Sequence, residues 1–140
     1  MIKIIFNITF CIFIISSPLF AKNQYFQEGK DFFKNKKFDE AKFKFEKSIV
    51  LNPKSEISYL YLSKIFKKFD KIDLQEQNLN TVILINPVNE EATFYLAKLK
   101  LESSDYKKSK ELNDRLNSFC NKYCSESQKL KAEIENLSKK

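Results

Sequence analysis

The amino-acid sequence predicts an all-α protein, an α-solenoid of about three helix-turn-helix hairpins followed by a C-terminal capping helix. Two observations favour this class. The 140 residues include only one glycine and three prolines, and 31% of them are charged, which is a high fraction for a compact sheet protein. Aromatic, small and proline residues also recur at a constant offset of 34 residues, and a period of this length is typical of stacked helical hairpins.

The same composition excludes most catalytic and cofactor-binding functions. The chain has no histidine, so it has no imidazole base or metal ligand, and one glycine cannot build a phosphate-binding loop. We therefore expect no enzyme activity, no metal site and no cofactor. The formal net charge is +7, but Arg115 is the only arginine. Arginine is the usual reader of phosphates and bases, so nucleic acid is not an expected partner.

Residues 1–21 are predicted to be a secretory signal peptide and not part of the fold. One lysine precedes an apolar run from Ile4 to Ile15, and Pro18 and Ala21 follow. This order predicts cleavage after Ala21 and export, with a bacterial periplasm as the expected compartment. An uncleaved membrane anchor is the alternative, although the apolar run is shorter than the roughly 20 residues that span a bilayer.

The 34-residue repeat organises residues 22–140. Pro53 and Pro87 are 34 positions apart (87 − 53 = 34), and each ends an apolar stretch that closes with Asn-Pro. Within each copy, apolar residues at helical spacing stop at a short polar turn and then resume until the proline, which predicts two antiparallel helices. The copies are predicted at about residues 22–55, 56–89 and 90–123.

Small residues occupy one column of the repeat. Gly29, Ser63 and Ala97 follow one another at the 34-residue offset. Where two helices cross closely, a larger side chain would push their backbones apart. The column therefore predicts a close helix–helix contact in each hairpin.

This pattern resembles the tetratricopeptide repeat, in which aromatic, Leu-Gly, aromatic, alanine, aromatic and late proline positions recur every 34 residues. The first copy has Tyr25, Gly29, Phe32, Ala41, Phe45 and Pro53; the second has Tyr59, Leu62, Ser63, Phe66, Leu79 and Pro87; the third retains Leu96 and Ala97. The resemblance implies a non-catalytic protein that binds another protein. It does not identify the partner.

The last segment is predicted to be a capping helix over about residues 125–138. Ser125 and Gln128 are spaced as a capping box, and Leu130, Ile134 and Leu137 form one apolar stripe on an otherwise charged helix. A terminal helix with a polar outer face is what a repeat array needs for solubility. An amphipathic tail that binds a partner is the alternative.

Cys120 and Cys124 are predicted to form a disulfide between the third hairpin and the capping helix. They are the only two cysteines after the signal peptide, and an exported chain meets oxidising conditions. Four residues apart in one continuous helix would strain the bond, so a bend is expected between them. Zinc would lack further ligands, and a redox-active pair more commonly has two intervening residues.

The family resemblance also implies a binding site, because the first helices of successive tetratricopeptide hairpins line a concave groove. Three columns of the repeat would point into it: Phe26, Leu60 and Phe94; Lys30, Lys64 and Lys98; and Phe33, Lys67 and Leu101. Apolar residues beside lysines favour a partner segment with acidic and apolar residues. Ordinary solvated lysines are the alternative interpretation of the charged column.

The leading functional hypothesis is therefore an exported adaptor or scaffold that binds a partner protein in this groove. The alternative is a peripheral membrane protein involved in envelope assembly that contacts anionic lipid through lysine patches. The patches would be formed by Lys67, Lys68 and Lys71 and by Lys107, Lys108 and Lys110.

Overall fold

A computed structural model describes residues 18–138 of the chain. The helices within this range are α1 (Pro18–Lys34), α2 (Phe38–Leu51), α3 (Glu56–Lys68), α4 (Ile72–Ile85), α5 (Glu90–Glu102), α6 (Tyr106–Phe119) and α7 (Cys124–Leu137). Residues 18–138 contain no strand. The predicted all-α class is confirmed for these residues.

The predicted signal peptide lies largely outside the described residues and stays a prediction. Residues 1–17 are not described, and α1 begins at Pro18, four residues before the predicted mature N-terminus at Lys22. None of the helices between residues 18 and 138 is long and apolar enough to cross a membrane.

The described residues divide into two compact units, one that ends at Ser58 and one that begins at Tyr59. In the first unit, α1 and α2 pack as a hairpin around Ala41 and Phe45, whose side chains are fully buried. Gly29 on α1 faces the ring of Phe45, and a Cβ atom at this glycine would lie 2.9 Å from Cε1 of that ring. The close contact predicted for the small-residue column is therefore present in the first hairpin, and it leaves no room for a larger residue at position 29 while the Phe45 ring stays in place.

The second unit has its own apolar core. Leu79, Val82, Ala92, Ala97 and Leu116 are fully buried, and together they line the inner faces of α4, α5 and α6. Their burial is expected from the apolar spacing of each helix.

The C-terminal helix α7 closes this core, as predicted. Leu130 and Ile134 are buried in the apolar cluster, and Leu137 packs against it. The predicted capping box is wrong, because α7 begins at Cys124 with Tyr123 as its N-cap residue and no side-chain cap bond. Ser125 is therefore already inside the first turn, where its side chain cannot act as the cap.

A buried polar network also joins α6 to α7. Nδ2 of Asn113 donates to the carbonyl of Ser127 at 3.0 Å. The hydroxyl of Ser127 lies 2.8 Å from Oδ1 of Asn113 and 2.8 Å from Oδ1 of Asn117, so these two oxygens share its proton. Asn113 and Ser127 are both almost completely buried. Because each bond satisfies a group that water cannot reach, the network fixes α7 in one position on α6.

The turn inside each hairpin repeats with the same geometry. Lys36, Asp70 and Ser104 have φ angles of 58°, 53° and 63°, in the left-handed region where glycine is usual after a helix. In the first hairpin, the N–H of Lys37 donates to the carbonyl of Phe32 at 2.9 Å. The equivalent bonds run from Lys71 to Phe66 and from Asp105 to Lys100. Each first helix therefore ends in a Schellman motif without glycine.

Candidate partner-binding surface

Helices α3 and α5 share one surface in the second unit. Nζ of Lys64 lies 2.6 Å from Oε1 of Glu91, and Nζ of Lys67 lies 5.9 Å from the centroid of the Tyr95 ring. Both contacts join a lysine of α3 to a residue of α5. We call this region the aromatic–lysine surface, and it consists of Lys64, Lys67, Glu91, Phe94, Tyr95, Lys98 and Tyr123.

Three aromatic rings form the centre of the aromatic–lysine surface. The ring centroid of Phe94 lies 5.4 Å from that of Tyr95, edge to face, and 5.3 Å from that of Tyr123. All three side chains are half-buried, so neighbouring residues cover part of each one and the rest is exposed. Rings held in this way present apolar area to a partner at a small entropic cost.

The lysines of this surface differ in how far they are neutralised. Lys64 is paired with Glu91 and also lies over the Tyr61 ring, 5.3 Å from its centroid. Lys67 is exposed. Lys98, one helical turn after Phe94, forms no ion pair with any residue between 18 and 138. The positive charge of Lys98 is therefore available to an acidic group of a partner.

Two of the predicted groove residues lie in the core. Leu60 is 7% exposed and Leu101 is 5% exposed, and both belong to the apolar cluster of the second unit. They support the aromatic–lysine surface from beneath and do not present apolar area to a partner. Of the apolar groove residues that the sequence predicts in this unit, only Phe94 has a partly exposed side chain.

The remaining predicted groove residues belong to the first unit. Phe26 packs against Phe45, with 5.9 Å between ring centroids, and Nζ of Lys30 lies 5.6 Å from the Phe26 ring. Phe33 contacts Phe38 across the hairpin turn, with 5.5 Å between ring centroids. Phe26 and Phe33 thus stabilise the hairpin, and their role in binding a partner stays a prediction.

The predicted disulfide is present. It joins Cys120, at the end of α6, to Cys124, at the start of α7. The chain bends between them as expected, because Asn121, Lys122 and Tyr123 lie outside both helices. The described residues include no group of three or more histidine, cysteine, aspartate or glutamate side chains that could hold a metal ion.

Glu90 binds the backbone of the disulfide loop through hydrogen bonds, a contact that the sequence does not predict. One carboxylate oxygen, Oε2, accepts hydrogen bonds from the backbone N–H groups of Lys122 at 2.8 Å and Tyr123 at 2.9 Å. Backbone hydrogen bonds from Asn121 and Tyr123 lower the pKa of the Glu90 carboxyl below its ordinary value, and the bond from Lys122 adds to this. Glu90 opens α5, so the loop is attached to the helix that bears Phe94.

Tyr123, like Glu91 and Tyr95, belongs to this surface but is not among the groove residues predicted from the sequence. Burial raises the pKa of its phenol to about 12, and the nearby Glu91 carboxylate and Tyr95 contribute to the shift. The shift agrees with a Tyr123 side chain turned towards α5. No repeat column contains Tyr123, because it lies in the bend after the third hairpin.

The lysines of the alternative membrane hypothesis include two that are paired along α6. Nζ of Lys108 lies 3.0 Å from Glu111 and Nζ of Lys110 lies 2.7 Å from Asp114. The hydrogen bond to Asp114 raises the pKa of Lys110. Lys107 is exposed and has no ion pair among the described residues. This patch is therefore less positive than its lysines suggest.

Several solved structures have the same fold. The TPR2B-domain complex of yeast Sti1 with pHsp70 has a TM-score of 0.77 at 15% identity, over 84% of this chain and 98% of that chain. The Yersinia enterocolitica type III secretion chaperone SycD, in complex with a peptide of the translocator YopD, has a TM-score of 0.75 at 17% identity, over 91% and 99%. The first TPR of Spaghetti (RPAP3), bound to the HSP90 peptide SRMEEVD, has a TM-score of 0.70 at 16% identity, over 82% and 94%.

These likenesses confirm the tetratricopeptide-repeat fold that the 34-residue period predicts. No family model matches the sequence, and the search of curated proteins found no match. The fold is therefore established by structure, at identities too low to transfer a partner.

Proposed function

We propose that this protein is a non-catalytic adaptor that holds a segment of another protein on the aromatic–lysine surface. The observation that supports this best is the placement of Lys67 over the half-buried ring of Tyr95, with Lys98 one helical turn after Phe94 on α5. Rings that are open on one side bind apolar side chains, and lysines at their edge attract carboxylates. The partner segment is therefore expected to contain both acidic and apolar residues.

The solved structures with this fold agree with a peptide ligand. The Yersinia chaperone holds a peptide of its translocator, and the Spaghetti domain holds an acidic peptide of HSP90. Neither ligand is transferred to this chain, because the identities are 17% and 16%. The shared property is a fold that binds a segment of a protein partner.

We further propose that the adaptor works in an exported compartment, and a bacterial periplasm is the compartment we expect. N-terminal sequencing of the protein from the exported fraction of the producing cells is expected to begin at Lys22, because the residues up to Ala21 have the order of a cleavable signal. Recovery of a chain that still begins at Met1 would contradict this and would favour a membrane anchor.

Charge reversal at Lys98 is expected to weaken binding of an acidic, apolar peptide. Lys98→Glu should lower the affinity of a fluorescein-labelled peptide of alternating glutamate and leucine by about five-fold at low salt, because it places a negative charge where the ligand carboxylates approach. Fluorescence anisotropy measures the affinity. The loss should shrink as salt is added, since exposed charges are screened.

Lys107→Glu on α6 is the matched control. It makes the same change of charge at an exposed lysine outside the aromatic–lysine surface, so it should alter the affinity less than two-fold. A peptide in which glutamine replaces glutamate should bind more weakly to the unchanged protein. Equal effects of the two substitutions would contradict the proposed site, and binding of anionic vesicles that only Lys107→Glu reduces would favour the membrane hypothesis.

A further inference from the structure

We propose that the Cys120–Cys124 disulfide positions Tyr123 as one wall of the aromatic–lysine surface, so that this surface is complete only in the oxidised protein. The proposal rests on the proposed function, since it concerns the same binding surface. It assigns the disulfide a role in recognition in addition to its role in joining α6 to α7.

The first observation is the place of Tyr123 in the closed loop. Tyr123 directly precedes Cys124, and only Asn121 and Lys122 separate it from Cys120. Its ring lies 5.3 Å from that of Phe94. A loop this short leaves the backbone of Tyr123 few alternative conformations while the bond is intact, and the ring is therefore held against Phe94.

The second observation is that the closed loop is fastened to the helix that bears the binding surface. Glu90, on the first turn of α5, accepts the backbone N–H groups of Lys122 and Tyr123. Phe94 and Lys98 follow one and two turns later on the same helix. The disulfide restricts the loop and Glu90 aligns it, so the two contacts together determine where the Tyr123 ring lies.

The third observation is that α7 has its own attachment to the core. Leu130 and Ile134 are buried in the apolar cluster, and Ser127 is bonded to Asn113. Loss of the disulfide should therefore release the bend and leave α7 in place. The effect expected from reduction is a mobile Tyr123 ring and not an unfolded protein.

Reduction by dithiothreitol provides the change of state. The reagent transfers two electrons and two protons to the disulfide, which becomes two thiols, and the reagent itself closes to a cyclic disulfide. Nuclear Overhauser effects between the Tyr123 and Phe94 ring protons report the contact. The anisotropy of the glutamate–leucine peptide reports binding, and far-UV circular dichroism reports helix content.

In the oxidised protein, we expect the ring contact to be present. In the reduced protein, and in the variant with both Cys120→Ser and Cys124→Ser, we expect the ring contact to be lost. The peptide affinity should then fall about five- to ten-fold, as for loss of a binding aromatic, at unchanged helix content. Asn121→Ala in the same loop is the matched control, and it should change neither the ring contact nor the affinity.

Tyr123→Ala separates recognition from a merely structural role of the disulfide. In the oxidised form this variant should lose as much affinity as reduction removes from the unchanged protein, and reduction should then cause no further loss. A further loss on reduction would overturn the inference, because the disulfide would then act through something other than Tyr123.

The other outcomes are also decisive. A ring contact that persists in the reduced protein would overturn the inference, as would equal peptide affinity in both redox states, and the proposed adaptor function would survive either result. Absence of peptide binding to the oxidised protein, with a redox-dependent ring contact, would instead reject the acidic, apolar ligand, and with it the role of Tyr123 in binding that ligand.

Discussion

Replacement of Phe45 with alanine is expected to destabilise the first hairpin by about 3–5 kcal/mol, because it removes a fully buried ring and leaves a cavity. Urea denaturation followed by far-UV circular dichroism measures the free energy of unfolding. Hydrogen exchange in peptides from α1 and α2 locates the loss in this hairpin. An effect below 1 kcal/mol would contradict the packing described here.

Phe43→Ala is the matched control on the same helix. The Phe43 ring is 52% exposed, and Nζ of Lys47 lies 4.6 Å from its centroid. Loss of an exposed cation–π contact should cost about 0.5–1 kcal/mol. Both substitutions remove the same side chain, so the difference between their losses of stability reports the effect of burial.

Gly29 provides a second control on the Phe45 contact. Gly29→Ala favours helix formation by about 1 kcal/mol, but its new Cβ would lie within 3.1 Å of three atoms of the buried Phe45 ring. Overpacking of this kind costs about 1–3 kcal/mol, so the net effect should be destabilising. In a Phe45→Leu background, where the ring is absent, the same substitution should become neutral or stabilising.

Replacement of Asn113 with leucine is expected to destabilise the contact between α6 and α7 by about 1–3 kcal/mol. Leucine has a similar volume, but it removes the hydrogen bond to the Ser127 carbonyl and leaves Asn117 as the remaining partner of the Ser127 hydroxyl. Each buried polar group left without a partner costs about 1–3 kcal/mol. Faster hydrogen exchange in α7, together with urea denaturation, measures the effect.

Asn136→Leu is the control for this change, because Asn136 is exposed on α7. It should alter stability by less than about 0.5 kcal/mol. The double change of Asn113→Leu and Ser127→Ala should cost less than the sum of the two single changes, because the two side chains are hydrogen-bonded to each other. Equal destabilisation by the Asn113 and Asn136 variants would contradict a specific role of the buried network.

The helix ends of the first two hairpins could be predicted because a local rule determines them. Helix α2 ends at Leu51 and α4 ends at Ile85, in each case directly before Asn-Pro. Proline has no N–H to donate and restricts the residue before it, so the helix stops there whatever the surroundings are. Pro53 and Pro87 therefore mark these boundaries without knowledge of the packing.

The depth of the groove residues could not be predicted in the same way. Leu60 and Leu101 share helix faces with open residues, and only the elements packed around them decide that their side chains are covered. Spacing identifies the apolar face of a helix but not which edge of that face a neighbour covers. Phe94 belongs to the same predicted apolar face, but the residues packed around it leave part of its ring exposed.

The attachment of the disulfide loop by Glu90 also had no sequence signal. The hydrogen bonds connect residues that are 32 and 33 positions apart, and the donors are backbone N–H groups. Every residue except proline has a backbone N–H group, so the sequence does not indicate which residues donate to Glu90. The position of Tyr123 beside Phe94 depends on this contact and was missed for the same reason.

The three left-handed turns have a consequence for sequence divergence. Lysine, aspartate and serine occupy equivalent positions at 36, 70 and 104, although an L-residue in this conformation costs about 1–2 kcal/mol. Packing of the paired helices must therefore impose the turn, since no preference common to these residues does so. A position governed by distant contacts is free to drift under mutation, and the third hairpin can thus keep its shape after losing most of the residues that identify the repeat.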